Sequence, residues 1–419
     1  MKGVPLPRTL EGAWLLAATG QVARFSSQAI AILVVGALTN AELFGQFMVY
    51  LAGALIYVAL LDFGLPLLAQ VVIPSSVYSY RRFLRIGVVI KVVLAVVVLP
   101  IPVLATWISL PYVDPLALSL FLTGALVQSA AYLITSSLRA TGRYGPDALG
   151  NVASAASLFA GLLLLVPSVD LTGLAFVYFL SRSAHLGIAV MAHAPAGSSV
   201  EAPMKGQEVW LLTKRAFHYA LVALLPAIIG NIDSILISGL LSAEANGEYQ
   251  AVYRLALASV IVTEICVAVF LPRLAGAFGR QDPSFATQSI KALYFAVVLA
   301  LFASAAFWII GPLVVDALFP YSTDFMAKYR HLFAFLVLLR IVGMWPGLML
   351  LVLGRERMRV IITVLALVIH VGIALSLVPR FGIGGAIWGC LISHAILYLG
   401  HFAGTIDGFK ALPRSAKAV

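Results

Sequence analysis

The chain has 419 residues, of which 62% are hydrophobic and only 11% charged, and its mean hydropathy is +1.04. Soluble domains carry roughly 25% charged residues, so this composition excludes a soluble globular protein and indicates a chain that crosses a membrane many times. A formal net charge of +10 would suggest a nucleic-acid partner in a soluble protein, but loop asymmetry accounts for it here and no nucleic acid is implied.

Apolar runs of about 20 residues are long enough to span a bilayer as helices. The sequence predicts twelve, at 12–38, 45–71, 84–108, 115–138, 147–167, 171–193, 215–240, 247–272, 288–315, 329–353, 358–378 and 383–404. The first follows a start that resembles a signal peptide. Apolar sequence continues through AIAILVVGAL without a clear cleavage site, so it reads as a span. Pro226 in span seven and Pro346 in span ten lack an N–H and are expected to bend their helices. Trp14, Trp107 and Trp210 fit interfacial anchoring, and the two cysteines, Cys266 and Cys390, imply no disulfide framework.

Lysine and arginine in the loops set orientation. One side holds Lys2, Arg8, Arg81, Arg82, Arg85, Arg139, Arg143, Lys214, Arg215, Arg273, Arg280, Arg355, Arg357 and the C-terminal basic residues. The other holds only Lys328, Arg330 and Arg380. This predicts both termini in the cytoplasm. The Pro/Gly/Ser-rich stretch APAGSSVEAPMKGQE falls after the sixth span. It predicts an N-terminal six-helix bundle (1–193), a cytoplasmic linker (194–213) and a C-terminal six-helix bundle (214–419).

An internal repeat supports that division. ALTNAELFGQF (37–47) matches GLLSAEANGEY (239–249) at a shift of 202, which also carries Asp62 onto Glu264. Gly142-Arg143 matches Gly354-Arg355 at a shift of 212, as do Val166-Pro167 with Val378-Pro379 and Gly173 with Gly385. The extra residues are expected between spans nine and ten, around DALFPYSTDFMAKYR. Two six-span halves of like orientation predict a pseudo-twofold along the membrane normal, with a substrate site between them near midplane.

Charges within the spans are candidate functional groups, because a charge in hydrocarbon costs at least about 2.5–3.5 kcal/mol on insertion scales. Arg24 and Arg340 fall near mid-span, with Arg182 in span six and Arg254 in span eight. Their guanidiniums suit an anionic group, which they can hold by charge-assisted, bidentate hydrogen bonds; ion pairing between helices, or snorkelling of Arg254, is the structural alternative. Lys91 is expected to reach the cytoplasmic interface. Asp62 and Glu264, at matching repeat positions, suggest a shared structural task such as pairing or capping a broken helix, or else ion coupling. Asp233 has Ala31 as its counterpart, so no symmetric scaffold demands it, and it is expected to balance an arginine or bind a coupling cation. His185, His370, His394 and His401 are expected as hydrogen-bonded packing groups.

LTNAELFGQF followed by LLDFGLPLLAQ, then IDSILISGLLSAEANGEYQAVYRL, then LGRERMRVIITVLALVIHVGIALSLVPRFGIGGAIWGCLIS, resemble in order the polysaccharide-exporter, or O-antigen flippase, family of the multidrug/oligosaccharidyl-lipid/polysaccharide superfamily. The resemblance implies an all-α fold of about twelve spans in two six-helix bundles forming a V around a cationic cavity. It implies a non-enzymatic flippase for an undecaprenyl-diphosphate-linked oligosaccharide (O-antigen, capsule or exopolysaccharide unit) in the bacterial inner membrane. Arg24, Arg340, Arg254 and Arg182 would meet the diphosphate, and Asp233, Asp62 and Glu264 would be candidates for coupling to H+ or Na+. No cofactor or metal is implied. Membrane lipid, a polysaccharide polymerase and a chain-length regulator are the expected partners. Related peptidoglycan-precursor flippases carry two further spans, which argues against that substrate. A drug/cation antiporter of the same superfamily is the alternative, but would want an acidic cavity. A membrane glycosyltransferase or polymerase is disfavoured by the short loops and the lack of P-loop, H-E-x-x-H and C-x-x-C motifs.

Overall fold

In lipid every backbone N–H and C=O must be satisfied inside the protein, and helices do this within each segment. The computed structural model describes residues 28–74, 77–165, 168–193, 206–260 and 262–410, and among them the regular elements are helical. They are α1 (Gln28–Leu38), α2 (Ala41–Asp62), α3 (Leu65–Val72), α4 (Tyr80–Val97), α5 (Pro100–Ser109), α6 (Pro115–Ala140), α7 (Gly145–Leu165) and α8 (Leu171–His193). They continue as α9 (Gly206–Ile229), α10 (Ile232–Leu240), α11 (Ala243–Val260), α12 (Val262–Gly279), α13 (Phe285–Leu318), α14 (Thr323–Val352), α15 (Glu356–Phe381) and α16 (Ile383–Lys410). Ten spans among the described residues are long and apolar enough to cross a membrane. The protein is an all-α, multi-pass membrane protein. Expected spans two to twelve each fall on a described helix or pair of helices. Residues 12–27 of span one, with Trp14 and Arg24, lie outside the described residues.

Spans two, three and seven are interrupted, which hydropathy alone did not reveal. Span two stops at Asp62; Phe63 and Gly64 take positive φ (43° and 69°), and α3 restarts with proline in its first turn. Glycine is required at 64 because its conformation is left-handed and because a Cβ there would collide with the backbone of Tyr219 and Ala220 on α9. Span three divides ahead of Pro100 into α4 and α5. In span seven the expected bend becomes a break. Helix α9 passes through Pro226 to Ile229, and α10 begins at Ile232. Asn231 sits in the gap and donates Nδ2–H to the Ala227 carbonyl at 2.8 Å. The extra residues expected between spans nine and ten are mostly helical: α13 runs for 34 residues, one 3-10 turn covers Pro320–Ser322, and α14 follows at once.

Packing divides the chain into two compact units, one holding 46–235 and the other 32–45 with the chain from 236 onward. In the first unit Leu212 and Ala216 of α9 are buried with Leu65 and Leu68 of α3 and with Phe83 and Ile86 of α4, and Glu208 of α9 pairs with Arg82 of α4. The second unit has its own core, where Leu274, Phe285, Ala292, Trp345 and Met349 join α12, α13 and α14.

The repeat is visible in local structure. Asn40 caps α2 by accepting from Leu43 N–H at 2.8 Å, and Ser242, its counterpart, accepts from Ala245 N–H at 3.1 Å. Gly142 and Gly354 both take positive φ. In the second unit the first turns of α2 and α11 cross through Ala41-x-x-x-Gly45 and Ala243-x-x-x-Gly247. A Cβ on Gly45 would run into the Ala243 carbonyl, and one on Gly247 into the Ala41 carbonyl. Such small-residue pairs let helix backbones touch, and Asn246 Nδ2 seals the crossing on the Gly45 carbonyl at 2.9 Å. We expect Gly247→Ala to destabilise the protein by about 1–3 kcal/mol through overpacking. Gly187→Ala, with open space at its Cβ, should be near neutral when both are compared by thermal unfolding in detergent.

Asp114 closes the first unit at the start of α6. Its Oδ1 accepts from the Leu116 and Ala117 amides at 2.9 and 3.2 Å, its Oδ2 from Thr172 Oγ1 at 2.8 Å, and its own N–H donates to Tyr50 Oη at 2.8 Å. Burial works to raise this carboxyl, but the hydrogen bonds from Thr172, Ala117 and Leu116 outweigh it and hold it below the usual carboxylate range. A group depressed on folding stabilises above its unfolded pKa and loses that contribution as pH falls through its folded pKa. Asp114→Ala should therefore cost about 1 kcal/mol at neutral pH, and the gap to wild type should close in acid, read as Tm against pH.

Candidate functional site

Tyr249 and Tyr253, four residues apart on α11, share a helix face. They stack with ring centroids 5.3 Å apart, and both are fully buried. Arg340 enters from α14, half-buried, and donates from Nη1 to Tyr253 Oη at 3.1 Å and to His394 Nε2 at 3.4 Å. His394, on α16, has Nδ1 at 2.8 Å from the Cys390 carbonyl. A carbonyl only accepts, so the ring proton sits on Nδ1 and the Nε2 lone pair faces the guanidinium. Arg254, next to Tyr253, donates Nε–H to Gln250 Oε1 at 3.0 Å, with its guanidinium carbon 5.8 Å from the Tyr253 ring centroid. Thus Arg340 and Arg254 converge on one tyrosine. Among the described residues no carboxylate lies within ion-pair distance of Arg340. Behind this group His370 Nδ1 donates to Ser393 Oγ at 2.7 Å, and Ser393 donates to the Cys390 carbonyl at 2.9 Å.

The remaining described candidates belong to the first unit or have other partners. Arg182, in the first unit, is 7% exposed and lies over the Tyr178 ring at 4.9 Å. Asp62 occupies the break in span two, where its Oδ1 meets Lys91 Nζ at 2.7 Å and accepts from Ser129 Oγ at 2.6 Å. Lys91 also donates to the Leu61 carbonyl at 3.2 Å and to Ser129. It is 6% exposed, so it does not snorkel to the interface: three oxygens from α2 and α6 hold it inside. Asp62 is thus paired across helices, with lysine rather than arginine as its partner. Asp233 is 2% exposed and lies in the first turn of α10, where the helix N-terminus favours a carboxylate. Glu264 lies on α12 with its side chain outside the described residues, as Arg24 is entirely.

Sequence reasoning missed Tyr253 and the role of His394 beside Arg340. The repeat held a signal for them. The shift of 212 carries Gln128 onto Arg340, Ser181 onto Ser393 and Arg182 onto His394. The same positions on spans four and six, and again on ten and twelve, therefore hold the polar cluster of each unit.

Residues 12–278 match the family described as polysaccharide biosynthesis protein. The fold is similar to the inward-facing conformation of a multidrug resistance MATE family transporter of the MOP superfamily, at TM-score 0.68 and 16% identity, covering 100% of this chain and 97% of that one. It is also similar to a eukaryotic MATE transporter, at TM-score 0.67 and 15% identity, covering 97% and 95%. A third similar structure is a MOP superfamily transporter from Pyrococcus furiosus whose binding pocket has reverse polarity, at TM-score 0.68 and 16% identity, covering 97% and 96%. No curated relative matches the chain. With more than half its length matched in sequence and its helices superposing on MOP transporters nearly end to end, this chain belongs to the polysaccharide biosynthesis protein family and has the MOP-superfamily fold.

Proposed function

We propose that this protein is a flippase that moves an undecaprenyl-diphosphate-linked oligosaccharide, an O-antigen, capsule or exopolysaccharide unit, across the bacterial inner membrane by alternating access. The observation that carries this reading is the state of Arg340. It is half-buried in a span, cannot lose its proton, and is held by a tyrosine hydroxyl and a neutral imidazole. A guanidinium so placed is poised for an anion brought by the ligand, and a diphosphate matches its fork. Arg254 joins it on Tyr253; Arg24, outside the described residues, stays a candidate from the sequence alone. The loop bias supports cytoplasmic termini, so the headgroup enters from the cytoplasmic side while the prenyl tail stays in lipid. A polymerase and a chain-length regulator would take the product outside.

The drug-antiporter reading shares the fold, and two of the similar structures are MATE transporters. It would want carboxylates where Arg340 stands. An enzyme reading has less support, because the described connections between spans are short.

Flipping of a fluorescent lipid-linked glycan into proteoliposomes tests the proposal. Arg340→Ala should lower the rate by about 10- to 100-fold, as a lost hydrogen bond to a charged group implies, with the protein still inserted. Arg340→Lys should recover only part, since an ammonium lacks the planar fork. A wild-type rate in Arg340→Ala would remove the site.

With Asp62 paired to Lys91, we assign coupling to H+ or Na+ to Asp233, and Glu264 stays the second candidate. Asp233→Asn should impair transport more than assembly and abolish the response to an imposed proton or sodium gradient, and Asp233→Glu should be milder. An unchanged gradient response in Asp233→Asn would make Asp233 a structural residue.

A further inference from the structure

Helices α7 and α8 touch closely around Gly150, where a Cβ would strike the His185 ring. One turn along, Ser154 Oγ and Ser181 Oγ share a hydrogen bond of 2.8 Å. Asn151 and Ser154, three residues apart, lie on the same face of α7, opposite Ser181, Arg182 and His185 on α8. Asn151 is 3% exposed and Arg182 7%. The guanidinium rests on the Tyr178 ring, and its Nη1 reaches Ser154 Oγ only at 3.5 Å. Tyr178 turns its own proton away, to Gln128 Oε1 at 3.1 Å.

Two buried donors remain without an acceptor, Arg182 Nε–H and an Asn151 Nδ2–H. Arginine keeps its charge, and among the described residues no carboxylate lies within ion-pair distance of Arg182. A buried charge needs a compensating one, and a neutral acceptor such as water satisfies the donors without supplying it. Enclosure at this depth between two packed helices selects a small ion over a sugar-bearing headgroup.

We propose that Arg182 and Asn151 hold a monovalent inorganic anion of chloride size between α7 and α8. This site shares no residue with the group around Arg340 and Arg254 and reassigns Arg182, which the sequence reading placed among the diphosphate ligands; its task is to neutralise the first unit's buried arginine. Anion binding stabilises the folded state by mass action.

The full-length protein in detergent is unfolded thermally at fixed ionic strength in sodium gluconate, sodium chloride or sodium bromide. Wild type should show a saturable rise in Tm with chloride and bromide. Arg182→Gln, which removes the charge, should lose that rise. Asn151→Asp, which builds in a carboxylate beside Arg182, should unfold at the same temperature in all three salts. An equal Tm for wild type in the three salts, or a full chloride response in Arg182→Gln, overturns the proposal. Should Arg182→Gln fail to fold, Asn151→Asp decides alone: a retained chloride response overturns it. No lipid-linked substrate enters the assay, so its outcome is independent of the flippase reading.

Discussion

An arginine in a membrane span cannot become neutral, and the low dielectric around it makes an unbalanced charge expensive. How each positive charge is balanced therefore organises this protein. Several bases have carboxylate partners inside the chain: Lys91 with Asp62 at 2.7 Å, Arg139 with Asp147 at 3.4 Å, and Arg355 with Asp407 at 2.7 Å. These pairs tie one helix to another. Arg340 and Arg182 are different. They rest on tyrosine, serine and imidazole, groups that orient a guanidinium without neutralising it. The first class holds the fold, and the second is where we propose that anions bind.

The repeat separates scaffold from chemistry in the same way. The parts that shape the backbone recur in kind: the side-chain caps at Asn40 and Ser242, the crossing of Ala41 and Gly45 with Ala243 and Gly247, the left-handed glycines at 142 and 354. The parts that carry charge have diverged. Gln128 stands where the second half has Arg340, and Arg182 where it has His394. Among the described residues each of these clusters has an arginine, Arg182 on α8 and Arg340 on α14, at positions that the repeat does not match.

Span number and order were legible because a bilayer demands long apolar runs, and little else competes with that signal. The interruptions were not. The break at Phe63 and Gly64 depends on the backbone of α9 lying against it, a contact more than 150 residues away in the chain. Lys91 looked like an interfacial lysine, since its position near a span end reads the same whether the ammonium reaches water or Asp62. The linker marked a change in composition, yet α9 beyond it packs with α3 and α4, because burial of Leu212 and Ala216 is decided in three dimensions. For the candidate site, charge within a span pointed to Arg340 and Arg254. Their meeting on Tyr253 is tertiary and needed the folded chain.

Helix α13 is 34 residues long, about 51 Å at the usual rise. Large apolar side chains are exposed along it from Ile290 and Tyr294 through Leu301 and Phe302 to Ile309 and Leu313, a belt of about 35 Å against a hydrocarbon core of about 30 Å. Such an excess is relieved by tilt or by local thickening of the bilayer, each at a small elastic cost. Any movement that changes the inclination of α13 therefore does work on the lipid around it. Acyl-chain length becomes a variable in this protein's conformational balance, alongside any ion gradient.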